Sequence, residues 1–174
     1  MLNCRQIVPF RIADMKEDAG RIAFVDVEVG LKDLRVRSIG ALLYPDGSKY
    51  SGIKEAELLD FMSTAGFVCG HNIVHHDLHY LGGVANMKLP VIDTLYLSPL
   101  LFPAHPYCNL LKDDKLLTDQ MNNPVNDCVK ARDLLLSEVA CWHSMDVVLQ
   151  GIYCGLLNAF PEFTGFFAYV RMSL

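Results

Sequence analysis

Two carboxylates only two residues apart are the first candidates for chemistry in this chain. Asp26 and Glu28 lie in the segment 21–29, RIAFVDVEV, whose β-branched and aromatic residues are typical of a buried central strand. Because side chains alternate along a strand, both carboxylates leave it on the same face. Two acids that point to one place are costly to bury without a cation between them. The pair therefore indicates either a divalent-metal site or a strand end that faces water.

Two further acids each open a helix later in the chain. Asp77 follows a polar turn at 70–76, GHNIVHH, in which Asn72 is a typical turn residue. Asp127 lies just after Asn123-Pro124, a pair that predicts a helix cap and the first helical position. Taken alone, an acid in the first turn of a helix is explained by the helix dipole. Metal binding requires that the fold bring these acids to the first pair.

The segments that must position these acids predict one α/β domain. Hydrophobic patterns predict strands at 21–29, 36–44, 49–52, 67–69 and 90–92, and helices at 54–64 and from 77, 93 and 124. Three opening strands followed by alternating helices and strands favour a central mixed β-sheet flanked by α-helices. We expect a single domain over 1–174, with a core at about 20–136. The helical extension at about 137–174 is either a cap or the start of a connection to a further domain.

Composition narrows the class of protein. Hydrophobic residues make up 52% of the chain and charged residues 20%, as in compact soluble domains. The net charge of −5 argues against a binder that grips nucleic acid through Lys and Arg, unless bound metal ions meet the phosphate instead. The six cysteines form no C-x-x-C pair, which favours reduced thiols in the cytoplasm over a zinc ribbon. No apolar run is long enough to predict a membrane partner.

The acidic motifs carry a resemblance to a known family. D-x-E on the first strand, G-H-N-I-x-x-x-D-L-x-x-L at 70–81, I-D-T-L at 92–95 and an acid opening a late helix resemble the DEDD (DnaQ-like) exonucleases. The resemblance covers about residues 21–138. It implies an RNase H-like fold and metal-dependent 3′→5′ removal of nucleotides from nucleic acid, DNA more than RNA. The products would be nucleoside 5′-monophosphates.

The same resemblance implies roles for individual residues. Two Mg²⁺ or Mn²⁺ ions would be held by four acids: Asp26, Glu28, Asp77 and Asp127. Asn72, with His71 and Val29, would lie beside the 3′-terminal nucleotide. Asp93 would have a structural role at the start of its helix.

The chain departs from the family at the general base. Asn122 stands where one branch has a histidine, and Asn123 where the other has a tyrosine. Neither amide can accept a proton near neutral pH, and loss of a general base typically costs about 10²–10⁴ in rate. His105 is a candidate substitute. Two hypotheses follow: a nuclease that works without the usual base, or a catalytically impaired domain that keeps nucleic-acid binding or docking.

Two other interpretations compete with a nuclease. Four histidines at near-helical spacing could hold zinc: His71, His75, His76 and His79. The apolar tail could instead complete the core, or dock onto a neighbouring domain or a second copy. Residues 111–127 and this tail are similar to an exonuclease-like module at the front of some bacterial RecQ-type helicases, which implies a helicase domain as a partner in a longer chain.

Overall fold

One five-stranded mixed sheet forms the centre of the molecule. The computed structural model describes residues 20–104 and 123–172. Its strands are β1 (Ile22–Val29), β2 (Val36–Tyr44), β3 (Lys49–Gly52), β4 (Phe67–Gly70) and β5 (Val91–Asp93). They lie in the order β3-β2-β1-β4-β5, with β1, β2 and β3 antiparallel and β4 and β5 parallel to β1. The predicted α/β class with a central mixed sheet is confirmed.

Helices cover the sheet. They are α1 (Glu55–Phe61), α2 (Asp77–Tyr80), α3 (Gly82–Asn86), α4 (Thr94–Leu101), α5 (Pro124–Ser144), α6 (Val147–Leu157) and α7 (Pro161–Met172). The predicted core boundary at about residue 136 falls inside α5, which continues without a break to Ser144. Across the ranges that the model describes, no helix is both long and apolar enough to cross a membrane.

The side chains of β1 point alternately to the two faces of the sheet and pack into two separate hydrophobic clusters. Ala23, Val25 and Val27 pack into a cluster with residues of α1 and α3. Ile22 and Phe24 point the other way, into a cluster built with α4, α5 and α7. Because Asp26 and Glu28 continue this second series, the two acids leave the sheet on the side of α5.

Two glycines allow helices to approach the sheet backbone closely. A Cβ on Gly40 in β2 would overlap the backbone nitrogen of Val125, and one on Gly165 in α7 would overlap the carbonyl oxygen of Val91. Gly40 pairs directly with Asp26 in the sheet. The start of α5 therefore lies over the strand pair that carries the acids.

The pairing of β1 with β2 changes register at its end. The regular ladder runs through Glu28, which pairs with Ser38, and shifts before Val29, which pairs with Val36. The irregularity thus lies just beyond the second acid and leaves both acids on one continuous strand face.

Candidate metal centre

Three of the four predicted acids meet at the end of β1. Asp26, Glu28 and Asp127 each offer a carboxylate oxygen, and these oxygens all lie within 4.8 Å of one another. All three side chains are partly buried. Carboxylate oxygens at this spacing, with access to water, are ligands that suit a hard divalent cation.

The first turn of α5 is fixed by local sequence. The Asn123 side chain accepts a hydrogen bond of 3.0 Å from the Val125 amide, and Pro124 occupies the first helical position. The predicted cap is therefore confirmed. One turn on, the Cys128 thiol donates a bond of 3.4 Å to the Gly40 carbonyl. These contacts hold Asp127 over β1, opposite the strand acids.

Asp77 lies beside this group but is not one of its three members. It is 1% exposed, and its Oδ1 accepts a 2.8 Å bond from the amide of Val27, the residue between the two strand acids. Burial raises the pKa of Asp77 to about 7, with smaller increases from Asp93 and Glu28, while hydrogen bonds from the backbone act to lower it. The hydrogen bond between Asp77 and Val27 thus connects α2 to β1.

Asp93 holds the turn that contains Asn72. This fully buried carboxylate accepts bonds from the amides of Asn72 at 2.8 Å, Val74 at 3.1 Å and Leu95 at 3.1 Å. Burial raises the pKa of Asp93, and those same hydrogen bonds counter the increase. Asn72 adopts a left-handed backbone with φ of 67°. The sequence predicted the helix-start role of Asp93 but not its hold on the turn.

The histidines have different neighbours. His71 Nδ1 lies 2.9 Å from the Thr94 hydroxyl, His75 Nε2 lies 3.8 Å from Glu162, and His76 Nδ1 lies 3.5 Å from Asp77 Oδ1. Among the described residues, no group of three or more ligating side chains includes a histidine. The described residues therefore contain no site that would support the zinc hypothesis.

A lysine lies beside the group of three acids. Lys130, one turn after Asp127 on α5, places its Nζ 3.3 Å from Asp127 Oδ1 and is about a third exposed. The i, i+3 spacing could have predicted this pair. Val29 ends β1 next to the site. Asn122 and His105, the two positions considered for a general base, lie outside the described residues.

A buried glutamate further along α5 was missed by sequence reasoning. Glu138 is 0% exposed, and burial raises its pKa to about 8. Ser98 Oγ lies 2.7 Å from Glu138 Oε1 and 3.0 Å from the Thr94 carbonyl. The Ser98 hydroxyl donates to Glu138 Oε1, and this hydrogen bond acts to lower the pKa of Glu138 while burial and the charge of Asp93 raise it. The glutamate falls in the apolar series of Leu135 and Trp142, and this helical spacing was the available signal.

Comparison with known proteins adds no assignment. No protein-family model matches the chain, and no curated protein matches it significantly. The resemblance to DEDD exonucleases therefore depends on the acidic motifs of the sequence alone.

Proposed function

We propose that this chain is a metal-dependent 3′→5′ exonuclease domain of the DEDD type, with an RNase H-like fold. The observation that supports the proposal best is the approach of Asp127, on α5, to Asp26 and Glu28, on β1, within 4.8 Å. About a hundred residues separate the helix from the strand. The exonuclease motifs require the acid on the late helix to lie next to the two acids on the first strand. Acids that only face water have no reason to lie together.

The residues present suit divalent ions such as Mg²⁺ or Mn²⁺. Three partly buried carboxylates meet here, and the ammonium group of Lys130 supplies one positive charge against them. Hard cations prefer such oxygen ligands, and the set contains no thiolate or imidazole that would favour zinc. Asp26, Glu28 and Asp127 would hold the ions, with Asp77 as the fourth ligand. Bound ions would supply acidity to water and positive charge beside the phosphate.

The chain's own residues would place the substrate. Asn72 would contact the 3′-terminal nucleotide from a turn that Asp93 fixes with its hydrogen bonds. His71 and Val29 flank the same region in our proposal. A grip on the 3′ end alone, preferably of DNA, agrees with the net charge of −5, because a long track along a phosphate backbone needs many basic residues.

A second function is favoured by one feature of the sequence. Asn122 stands where a general base is expected, and an amide cannot take the proton of the attacking water. The alternative is a catalytically impaired module that binds nucleic acid or docks within a larger helicase-type protein. Both functions need the acids to bind metal, and they differ in turnover.

Digestion of a 5′-labelled single-stranded oligonucleotide with Mn²⁺ or Mg²⁺ separates the two functions. We expect a ladder of 3′-shortened products that Asp26→Asn abolishes, along with tight Mn²⁺ binding measured by calorimetry. Asp133→Asn is the matched control, because Asp133 is an exposed acid of α5 that pairs with Arg132. Metal binding without a ladder would support the impaired module. Equal Mn²⁺ affinity in the unmodified and Asp26→Asn proteins would refute the metal site itself.

A further inference from the structure

A series of polar contacts runs from the turn at 71–76 into the interior of the protein. The Asn72 amide donates a 2.8 Å hydrogen bond to Asp93 Oδ1. His71 Nδ1 lies 2.9 Å from the Thr94 hydroxyl oxygen. Asp93 is the N-cap of α4, and Thr94 is the first residue of that helix. The first turn of α4 therefore locates both residues that we place beside the 3′-terminal nucleotide.

The same turn of α4 is connected to α5 through Ser98 and Glu138. The Ser98 hydroxyl donates a 2.7 Å hydrogen bond to Glu138 Oε1, and its oxygen also lies 3.0 Å from the Thr94 carbonyl oxygen. Ser98 is 8% exposed and Glu138 is 0% exposed. Because Glu138 lies on the buried side of α5 with Leu135 and Trp142, a carboxyl group occupies a position where the helix otherwise has apolar side chains.

Stability alone does not explain a carboxyl group at this position. Among the residues that the structure describes, Glu138 Oε2 has no hydrogen-bond partner. A buried polar atom without a partner is costly, and an apolar side chain of similar size would fill the space without that cost. An apolar contact has no preferred direction, whereas the hydrogen bond from Ser98 fixes the distance and orientation between α4 and α5. The glutamate is therefore suited to hold the two helices in one relative position.

We propose that Glu138 is a positioning residue for binding of the 3′-terminal nucleotide. Through Ser98 it holds the first turn of α4, and that turn places His71 and Asn72. Asp127 lies about three turns earlier on α5, so one helix locates both the acids of the metal centre and the turn that contacts the nucleotide. This role rests on the proposed function, which assigns His71 and Asn72 to the nucleotide.

Nuclear magnetic resonance of the His71 imidazole and the Asn72 amide reports the position of the turn without any substrate. We expect Ser98→Ala to shift both signals, because α4 loses its hydrogen bond to α5. Ser137→Ala is the matched control, since Ser137 is also a helical serine whose hydroxyl lies 2.9 Å from the carbonyl oxygen four residues earlier, but on the exposed side of α5. The control should leave both signals unchanged.

Two replacements of Glu138 separate its hydrogen bond from its volume. Glu138→Gln keeps an oxygen that accepts from Ser98, so the signals of His71 and Asn72 should stay close to those of the unmodified protein. Glu138→Leu fills the core without an acceptor, so it should shift both signals while stability is kept or increased. A general loss of folding cannot produce this pair of results.

Digestion of the 5′-labelled oligonucleotide tests the consequence for the substrate. Ser98→Ala and Glu138→Leu should raise KM by about tenfold and change kcat by less than about twofold, because the variants lose contacts to the nucleotide that are made equally in the ground state and the transition state. The Mn²⁺ affinity should stay the same. If the domain has no turnover, the dissociation constant of the same oligonucleotide, measured by fluorescence anisotropy with Mn²⁺, should rise by the same factor.

The outcomes distinguish this role from the proposed function. Unchanged signals in Ser98→Ala and Glu138→Leu, or shifted signals with unchanged affinity for the oligonucleotide, would overturn the role of Glu138 and leave the nuclease proposal intact. An unmodified protein that neither cuts nor binds the oligonucleotide would refute the proposed function, and the role of Glu138 with it.

Discussion

The two ends of α5 accommodate acids in opposite ways. At its first turn, Asp127 is partly buried, within reach of two other carboxylates and of Lys130. Three turns later, Glu138 is fully buried, with Ser98 as its hydrogen-bond partner. The first environment is suited to a cation from solution, and the second to a proton. The difference shows that the number of neighbouring acids and the access to water, more than burial alone, decide how a carboxylate is neutralised.

Ionisation of Glu138 should have the largest effect on stability. Its folded pKa of about 8 lies above the unfolded value of 4.5, so the stability due to its protonated form is complete below pH 4.5 and is lost as the pH rises through 8. The loss is on the order of 3–5 kcal/mol in the free energy of unfolding. Glu138→Gln keeps the hydrogen bond without the proton, so it should remove this part of the pH dependence.

Urea unfolding at several pH values compares the two proteins. The nearby titratable groups are Asp93, whose charge also raises the pKa of Glu138, and the Cys69 thiol, whose pKa burial and Glu138 raise. Asp77, with a pKa raised to about 7, contributes a slope of the same sign. Because these groups are present in both proteins, the difference between the two curves reports the titration of Glu138 together with its coupling to Asp93 and Cys69. Parallel curves would mean that Glu138 is ionised in the folded state.

Substitutions at Gly40 and Gly165 test whether the position of Asp127, in the first turn of α5, depends on close contact between the backbones of helix and strand. Alanine at either position must displace a helix from a strand, and such overpacking typically costs about 1–3 kcal/mol in the free energy of unfolding. Gly40→Ala should also lower the Mn²⁺ affinity by about tenfold, one unit of 1.4 kcal/mol, because Asp127 moves away from Asp26. Gly165→Ala, which displaces α7 from β5, should leave that affinity unchanged.

Calorimetric titration with Mn²⁺, at a temperature where both variants are folded, measures this difference. The two variants lose stability for the same reason, so a general loosening would lower both affinities together. An equal loss in Gly165→Ala would contradict the positioning role of Gly40.

The smallest expected effect concerns Lys130. Its ammonium group competes with a cation for Asp127, so Lys130→Met should raise the Mn²⁺ affinity about two- to fivefold, with solvent screening limiting the gain. Lys54→Met is the control, because Lys54, at the start of α1, makes the same i, i+3 pair with Glu57 at 2.8 Å. A lower affinity in Lys130→Met would show that the lysine organises the acids rather than competing for them.

The architecture was largely predictable, and so was part of the site. Alternation in β1 and the Asn123-Pro124 start of α5 are local signals, and both were confirmed. The partners of those elements depend on contacts between distant residues. The overlap of Gly40 with Val125 is such a contact, and no pattern along the chain predicts it. The division of the tail into an α7 with buried residues and an α6 with none is another, because both helices are apolar in sequence.

The change of register after Glu28 has a consequence for how this protein can diverge. Side chains alternate along β1, so a one-residue insertion or deletion in the strand before Asp26 would turn both acids to the opposite face of the sheet. The irregularity lies after the second acid, where β2 has one unpaired residue close to the loop at 30–35. A change in the length of this loop should therefore leave the orientation of both acids unchanged.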